Sequence, residues 1–136
     1  MNKLSKNFTL DEMVASETAY NFKLNNKPSD EAVANMIDLV RNVLQPARDL
    51  YGKAIFVNSG YRSPEVNRAV GGSASSQHMK GQAADISAGS HLENKKVFNL
   101  IIKEKIPFDQ LIDEAKYQWI HVSYNKKGNR GQILHL

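Results

Sequence analysis

Apolar residues in the first half of the chain recur at three- and four-residue spacing, which is typical of amphipathic helices. The longest such run predicts a helix over residues 29–50, with Ser29 or Asp30 as the capping residue. Pro46 lies inside this run. Because proline lacks the backbone N–H that a helix interior needs, we predict a kink or break around Gln45.

Shorter helices are predicted over residues 9–16, 63–70 and 92–104. Thr9 is the predicted N-cap of the first, with Glu12 completing a capping box. The second begins at Ser63, and Pro64 occupies its first position. The sequence of residues 21–28 is typical of a loop.

The spacing of apolar residues changes after residue 52, where short apolar or alternating segments predict strands. These segments are residues 54–57, 83–86, 108–112, 119–124 and 132–136. The last three suggest a meander, with Asn125 and Gly128 as turn residues, so the last half of the sheet should be antiparallel. We therefore predict an α+β fold in which helices pack against a small, mainly antiparallel sheet.

Composition limits the size and class of the protein. The 136 residues are enough for one domain, so residues 1–136 are interpreted as a single unit. The absence of cysteine excludes disulfides, thiolate metal ligands and a cysteine nucleophile. The net charge of +4 favours polyanionic surroundings without choosing among them.

No apolar run is long enough for a membrane span, and the N-terminal segment lacks the apolar core of a signal peptide. We therefore expect synthesis in the cytoplasm and no membrane partner. The basic run at residues 125–130 is short and is typical of a solvated hairpin tip, so we expect no nucleic-acid partner. We also expect a monomer.

Two of the four histidines lie in segments suited to a metal site. His78 precedes a strand that carries Asp85, so both side chains can point into one pocket. Strand alternation places Trp119, His121 and Ser123 on one face. Two histidines and one carboxylate form a catalytic zinc shell that leaves a fourth position for water. The alternative is that the histidines are structural and Asp85 satisfies loop amides.

Hydrolysis at such a metal also needs a nearby base. Asp113 and Glu114 end the strand before His121, and a hairpin would bring either carboxylate beside the metal. The alternative is an ordinary solvated turn. We expect His91 and His135 to take no part in the site.

Several motifs occur together in a defined order. They are residues 8–13 (FTLDEM), 43–48 (VLQPAR), 57–63 (VNSGYRS), 66–67 with 70–72, 76–85 (SQHMKGQAAD) and 119–124 (WIHVSY). The ordered set resembles the M15 family of zinc peptidases over nearly the whole chain. The similarity is greatest to the M15A-type D-Ala-D-Ala carboxypeptidases and phage endolysins.

The resemblance implies that His78, Asp85 and His121 bind Zn²⁺. It also implies that Arg62 holds a substrate carboxylate or carbonyl, and that Ser76 forms a hydrogen bond with the substrate. The planar guanidinium of arginine suits bidentate carboxylate binding.

The resemblance implies a glutamate base ahead of the last ligand, and here the chain departs from the family. Several M15 relatives carry the acid three residues before the last histidine, a position occupied by Gln118, which cannot accept a proton. We therefore predict Glu114 as the general base, with Asp113 in reserve, since only one of two adjacent strand residues can face the metal. Trp119 either lines the cleft or belongs to the core.

The function implied by the resemblance is zinc-dependent cleavage of the peptide stem of peptidoglycan. A D-Ala-D-Ala carboxypeptidase and an endolysin-type endopeptidase both remain open. A small catalytic domain without a signal peptide suits a phage or prophage lysis enzyme that reaches the wall through a holin. The alternative, raised by Gln118, is a weak or inactive zinc-containing module that binds the cell wall.

Overall fold

A computed structural model of the chain describes residues 2–136. The α-helices are α1 (Leu10–Val14), α2 (Glu17–Phe22), α3 (Asp30–Leu39), α4 (Gln45–Tyr51), α5 (Pro64–Ala69) and α6 (His91–Lys103). The strands are β1 (Phe56–Ser59), β2 (Ala83–Ser87), β3 (Gln110–Glu114), β4 (Trp119–Ser123) and β5 (Gln132–His135). A 3₁₀ helix spans Gln77–Lys80. Within residues 2–136, no helix is both long enough and apolar enough to cross a membrane.

Hydroxyl side chains begin most of the helices by accepting a hydrogen bond from a backbone N–H of the first turn. These N-cap residues are Thr9, Ser16, Ser29, Ser63 and Ser90. The predicted capping box is present, since the Glu12 carboxylate accepts a hydrogen bond from the backbone N–H of Thr9. Helix α2 was not predicted, because its six residues are too few to display an amphipathic period.

We predicted a kink or break around Gln45; the helix has no gap there, but its α-helical hydrogen-bond pattern is interrupted immediately before this residue. A π-helical turn over Val40–Leu44 instead leads directly into α4. Pro46 lies in the first turn of α4, where its missing N–H costs least. The wider π turn shifts the hydrogen-bond register ahead of the proline, so the helix continues without a gap.

The strand order in the sheet is β1-β2-β4-β3-β5. Neighbouring strands are antiparallel except for β3 and β5, which are parallel, so the predicted mainly antiparallel α+β fold is confirmed. The predicted meander is wrong, because β5 pairs with β3 rather than with β4. The chain between β4 and β5 crosses the end of the sheet, where the backbone N–H of Gly131 donates to the carbonyl of Phe108.

Side-chain alternation gives the sheet one apolar and one polar face. The apolar face joins the helices in one core, to which the strands contribute Ala84, Ile86, Leu111, Ile120 and Val122. Alternate positions on the same strands point to the other face and carry Asp85, Glu114 and His121. The packing that buries the core therefore leaves the candidate chemistry on the opposite face.

A buried amide holds the turn between β3 and β4. The backbone of residues 115–117 is left-handed throughout, which is unfavourable for residues other than glycine. Asn94 of α6 is fully buried and donates to the carbonyl oxygens of Tyr117 and Gln118, at 2.8 and 3.1 Å. Its own carbonyl accepts from the backbone N–H of Ala88 at 2.6 Å. One side chain thus joins helix, loop and hairpin.

Candidate metal centre and active site

Strand register brings together two of the three predicted ligands. Asp85 of β2 lies directly opposite His121 of β4 in an antiparallel pair, so their side chains share one face of the sheet. Nδ1 of His121 is 3.0 Å from Oδ1 of Asp85. The two residues are far apart in sequence, and only strand pairing makes them neighbours.

The third predicted ligand comes from the 3₁₀ helix just before β2. The His78 side chain is buried, and its Nδ1 donates a hydrogen bond to the carbonyl oxygen of Gly60 at 2.6 Å. Because a carbonyl can only accept, the proton is on Nδ1 and the lone pair of Nε2 faces the site. Gly60 approaches Met13 so closely that an added Cβ would lie 2.2 Å from its carbonyl oxygen.

The geometry of these three side chains suits a metal ion. One potential ligand atom from each of His78, Asp85 and His121 lies within 4.8 Å of the others. Nε2 of His78 is 3.4 Å from Oδ1 of Asp85. Ligands at the usual zinc distances in a tetrahedron are about 3.3 Å apart. Two imidazole nitrogens and one carboxylate oxygen therefore provide both the donor types and the spacing that zinc requires.

Electrostatics keep the Asp85 carboxylate ionised. Burial by itself raises the pKa of Asp85, but the neighbouring imidazoles of His121 and His78 outweigh burial and lower the pKa well below its ordinary value. Nη2 of Arg62 also lies 3.3 Å from Oδ2 of Asp85. The carboxylate is thus in the deprotonated form that metal binding needs.

An open cavity of about 340 Å³ lies over His121 and contains one of the two predicted bases. Glu114 lines this cavity together with His121 and Ile112. Asp113 points to the opposite face, where it is buried and hydrogen-bonded to His135. The structure therefore places Glu114, and not Asp113, beside the candidate metal site.

The other predicted residues are distributed around this centre. Ser76 lines the cavity, and its hydroxyl accepts from the backbone N–H of His78 at 3.2 Å. Trp119 is half-buried and pairs with Glu114 across the hairpin, but it is not among the described residues that line the cavity. Gln118 is exposed in the turn, and its backbone N–H donates to the carbonyl of Glu114.

Arg62 lies beside the ligands, outside the lining of the cavity. Besides Asp85, its guanidinium contacts the Ser59 hydroxyl at 3.2 Å and the Asn67 side-chain oxygen at 3.5 Å. Among the histidines expected to take no part, His91 is exposed, whereas His135 contacts Asp113 on the far face.

Two residues of the site were missed from the sequence. Arg130 lines the cavity, and the buried Asp109 accepts hydrogen bonds from it. Arg130 was interpreted as part of a solvated hairpin tip, and Asp109 lies at the edge of a predicted strand. The available signal was the isolated charged Asp109 in a predicted apolar strand, but no nearby residue pattern indicated that Arg130 is its partner.

Comparison with known proteins is consistent with this geometry. A family model described as Peptidase M15 matches residues 6–123, which include all three candidate ligands and Glu114. The chain belongs to the peptidase M15 family. The matched region ends at Ser123, so Arg130 and β5 lie beyond the M15 match.

One curated relative is the zinc D-Ala-D-Ala carboxypeptidase of Streptomyces albus G. It is 52% identical to this chain over 48 residues, which are 35% of this chain and 19% of the relative. The alignment therefore spans about a fifth of the relative's length.

Proposed function

We propose that this M15 protein is a zinc-dependent peptidase that cleaves the peptide stem of peptidoglycan. The observation that carries the proposal is the convergence of His78, Asp85 and His121 on one point, with Glu114 in the adjoining cavity. The name of the Streptomyces albus G relative, a zinc D-Ala-D-Ala carboxypeptidase, supports both the metal and the substrate class.

The proposed ligands are Nε2 of His78, a carboxylate oxygen of Asp85 and Nδ1 of His121. Zinc at this position would lower the pKa of water and polarise the scissile carbonyl. The hydrogen bond from His78 to the Gly60 carbonyl fixes the imidazole tautomer and ring orientation. Arg62 beside Asp85 holds the carboxylate in place and contributes positive charge on this side of the centre.

Glu114 is the proposed general base. Its carboxylate takes a proton from the attacking water and returns it to the leaving amine. This assignment is supported by strand alternation, which directs Glu114 to the cavity and Asp113 to His135. Because Glu114 supplies a carboxylate from the neighbouring strand, the glutamine at position 118 does not remove the base from the site.

The remaining substrate contacts are proposed from the positions of Ser76 and Arg62 beside the candidate metal centre. Ser76 lies in the cavity wall next to His78, where its hydroxyl hydrogen is available to a substrate carbonyl. We propose that Arg62 assists the developing oxyanion.

The cavity is open rather than enclosed, which suits a polymeric substrate. Both terminal D-Ala release and internal endopeptidase cleavage are therefore compatible with the cavity. Endolysin action in a phage or prophage is the form that we favour.

The deciding experiment is incubation of zinc-loaded protein with purified peptidoglycan, with released fragments identified by mass spectrometry. We expect a defined peptide or D-Ala product that disappears when the metal is removed with a chelator. His121→Ala should lose both zinc binding and release. Glu114→Gln should keep stoichiometric zinc and lose activity by about 10²–10⁴-fold.

The exposed Glu104, which is outside the cavity lining, provides the matched control. Glu104→Gln should bind zinc and release product as the wild type does. Full activity of Glu114→Gln would disprove the base assignment. Stoichiometric zinc without any product from the wild type would favour the alternative of a zinc-containing cell-wall-binding module.

A further inference from the structure

Arg130 is the one cationic side chain among the described residues that line the cavity over His121. The sheet contributes Gln110, Ile112, Glu114 and His121 to the lining, and the other lining residues besides Arg130 are neutral and polar, namely three serines and Gln77. A substrate in this cavity therefore encounters a fixed negative charge from Glu114 and a positive charge from Arg130. The positive charge lies outside the region that the M15 family model matches.

Asp109 fixes the position of this positive charge. Its side chain is buried, with only 6% exposed. Oδ1 accepts from the backbone N–H and Nε–H of Arg130 at 2.8 and 3.0 Å, and Oδ2 accepts from Nη2 at 2.8 Å. Hydrogen bonds from Arg130 hold the pKa of Asp109 below its ordinary value despite burial, so the carboxylate stays charged.

The same carboxylate connects Arg130 to the metal centre. Oδ2 of Asp109 also accepts from Nε2 of Gln77 at 3.0 Å, and Gln77 is adjacent to His78 in the 3₁₀ helix. The guanidinium therefore has a defined position relative to a proposed zinc ligand. Holding a surface arginine in one position costs conformational entropy. A group that orients a substrate needs such a fixed position.

The guanidinium of Arg130 has more N–H donors available to a substrate than the guanidinium of Arg62. The Arg62 side chain is 17% exposed and divides its three nitrogens among Ser59, Asn67 and Asp85. The Arg130 side chain is 57% exposed and contacts Asp109 through Nε and Nη2. Its Nη1 edge is left for a ligand, and a planar guanidinium edge matches a carboxylate.

We infer that Arg130, held by Asp109, is the carboxylate-binding residue of the cleft, and that the substrate is a peptide with a free carboxylate close to the scissile bond. The inference rests on the proposed function and narrows its substrate class. In this arrangement Arg62 assists the oxyanion that develops at the scissile carbonyl, whereas Arg130 binds the carboxylate by which the peptide is recognised. In a peptidoglycan stem, the carboxylate comes either from the C-terminal residue or from the α-carboxyl of a γ-linked D-glutamate.

The test uses the pentapeptide N-acetyl-L-Ala-γ-D-Glu-L-Lys-D-Ala-D-Ala in three forms. One has both carboxylates free, one has a C-terminal amide, and one has the D-glutamate α-carboxyl converted to an amide. Each is assayed for kcat and KM with zinc-loaded protein, and for Kd by calorimetry with metal-free protein. The variants are Arg130→Gln, Arg130→Lys and the control Arg68→Gln, an exposed arginine of α5 outside the cavity lining.

We expect the wild type to discriminate against one amidated form, which identifies the carboxylate that is bound. Arg130→Gln should reduce kcat/KM for the carboxylate form by about 10- to 100-fold more than for that amide, chiefly through KM. The Kd in metal-free protein should rise in parallel. Arg130→Lys should restore part of the discrimination because it keeps the charge, whereas Arg68→Gln should match the wild type.

Equal losses for all three peptides in Arg130→Gln, or no loss for any of them, would overturn the inference. Turnover of the amide by Arg130→Gln shows in the same assay that the variant is folded. Failure of the proposed function looks different, because the wild type would then cleave none of the peptides. In that case the binding arm still decides whether Arg130 recognises a carboxylate.

Discussion

The buried amide of Asn94 offers a direct test of how the candidate active site is held together. Asn94→Ala removes the side chain that joins α6 to the hairpin carrying Glu114 and His121. Because the Asn94 amide is fully buried and hydrogen-bonded, its removal leaves buried backbone groups unpaired. It loses the partners of the Tyr117 and Gln118 carbonyl oxygens and of the Ala88 N–H.

The magnitude follows from these three contacts. A net hydrogen bond contributes about 1 kcal/mol to stability, so their loss should lower the free energy of unfolding by about 3 kcal/mol. For a chain of this size, that change lowers Tm by roughly 10 °C. The left-handed backbone of residues 115–117 makes the loss harder to absorb, since the strained turn then lacks its support.

Urea denaturation followed by circular dichroism measures the effect, with the m-value as a check that both proteins unfold similarly. Asn99 is exposed on the same helix, so Asn99→Ala is the matched control and should change stability by less than about 0.5 kcal/mol. Asn94→Asp should be at least as destabilising as Asn94→Ala, because its carboxylate faces the same two carbonyl oxygens. The reasoning is refuted if Asn94→Ala is no more destabilising than Asn99→Ala.

Two further predictions concern the contacts around the ligands and the cleft. Gly60→Ala should weaken zinc binding by about 10-fold or more, because the new Cβ displaces the backbone from Met13 and moves the carbonyl that orients His78. Calorimetric titration with zinc measures the affinity of the variant. An affinity equal to that of the wild type would contradict the prediction. The pKa of Asp109 is lowered in the folded state, so its pairing with Arg130 stabilises the protein above about pH 4 and is lost as the pH falls further. Urea midpoints measured from neutral to acidic pH should therefore fall less steeply for Asp109→Asn than for the wild type, and parallel curves would count against this role.

Local patterns predicted most of the secondary structure. The capping box at Thr9 and Glu12, the helix begun by Ser63 and Pro64, and the long helix α6 all follow from short-range rules. The errors occurred where local rules are ambiguous. The first strand lies at Phe56–Ser59 rather than at residues 54–57, because a short apolar run does not define its own ends.

Candidate ligands were also identifiable before the fold was known. His78 and Asp85 lie within one motif, and the alternation around His121 indicated which face it occupies. The assignments of zinc ligands and base remain predictions until metal binding and turnover are measured. The choice between Asp113 and Glu114 was open in the sequence, because adjacent strand residues always point to opposite faces and either face can be the polar one.

The sequence alone determined the helix caps at Thr9 and Ser63, the alternation of the strands and the set of side chains with metal-binding chemistry. Only the tertiary structure decided that Asp85 lies opposite His121, that Glu114 faces the cavity, and that β5 returns beside β3 with Arg130 bound to Asp109. The physical reason is that caps and alternation depend on neighbours within a few residues. Strand order and register depend on pairing between distant segments, which is set by how the whole core packs.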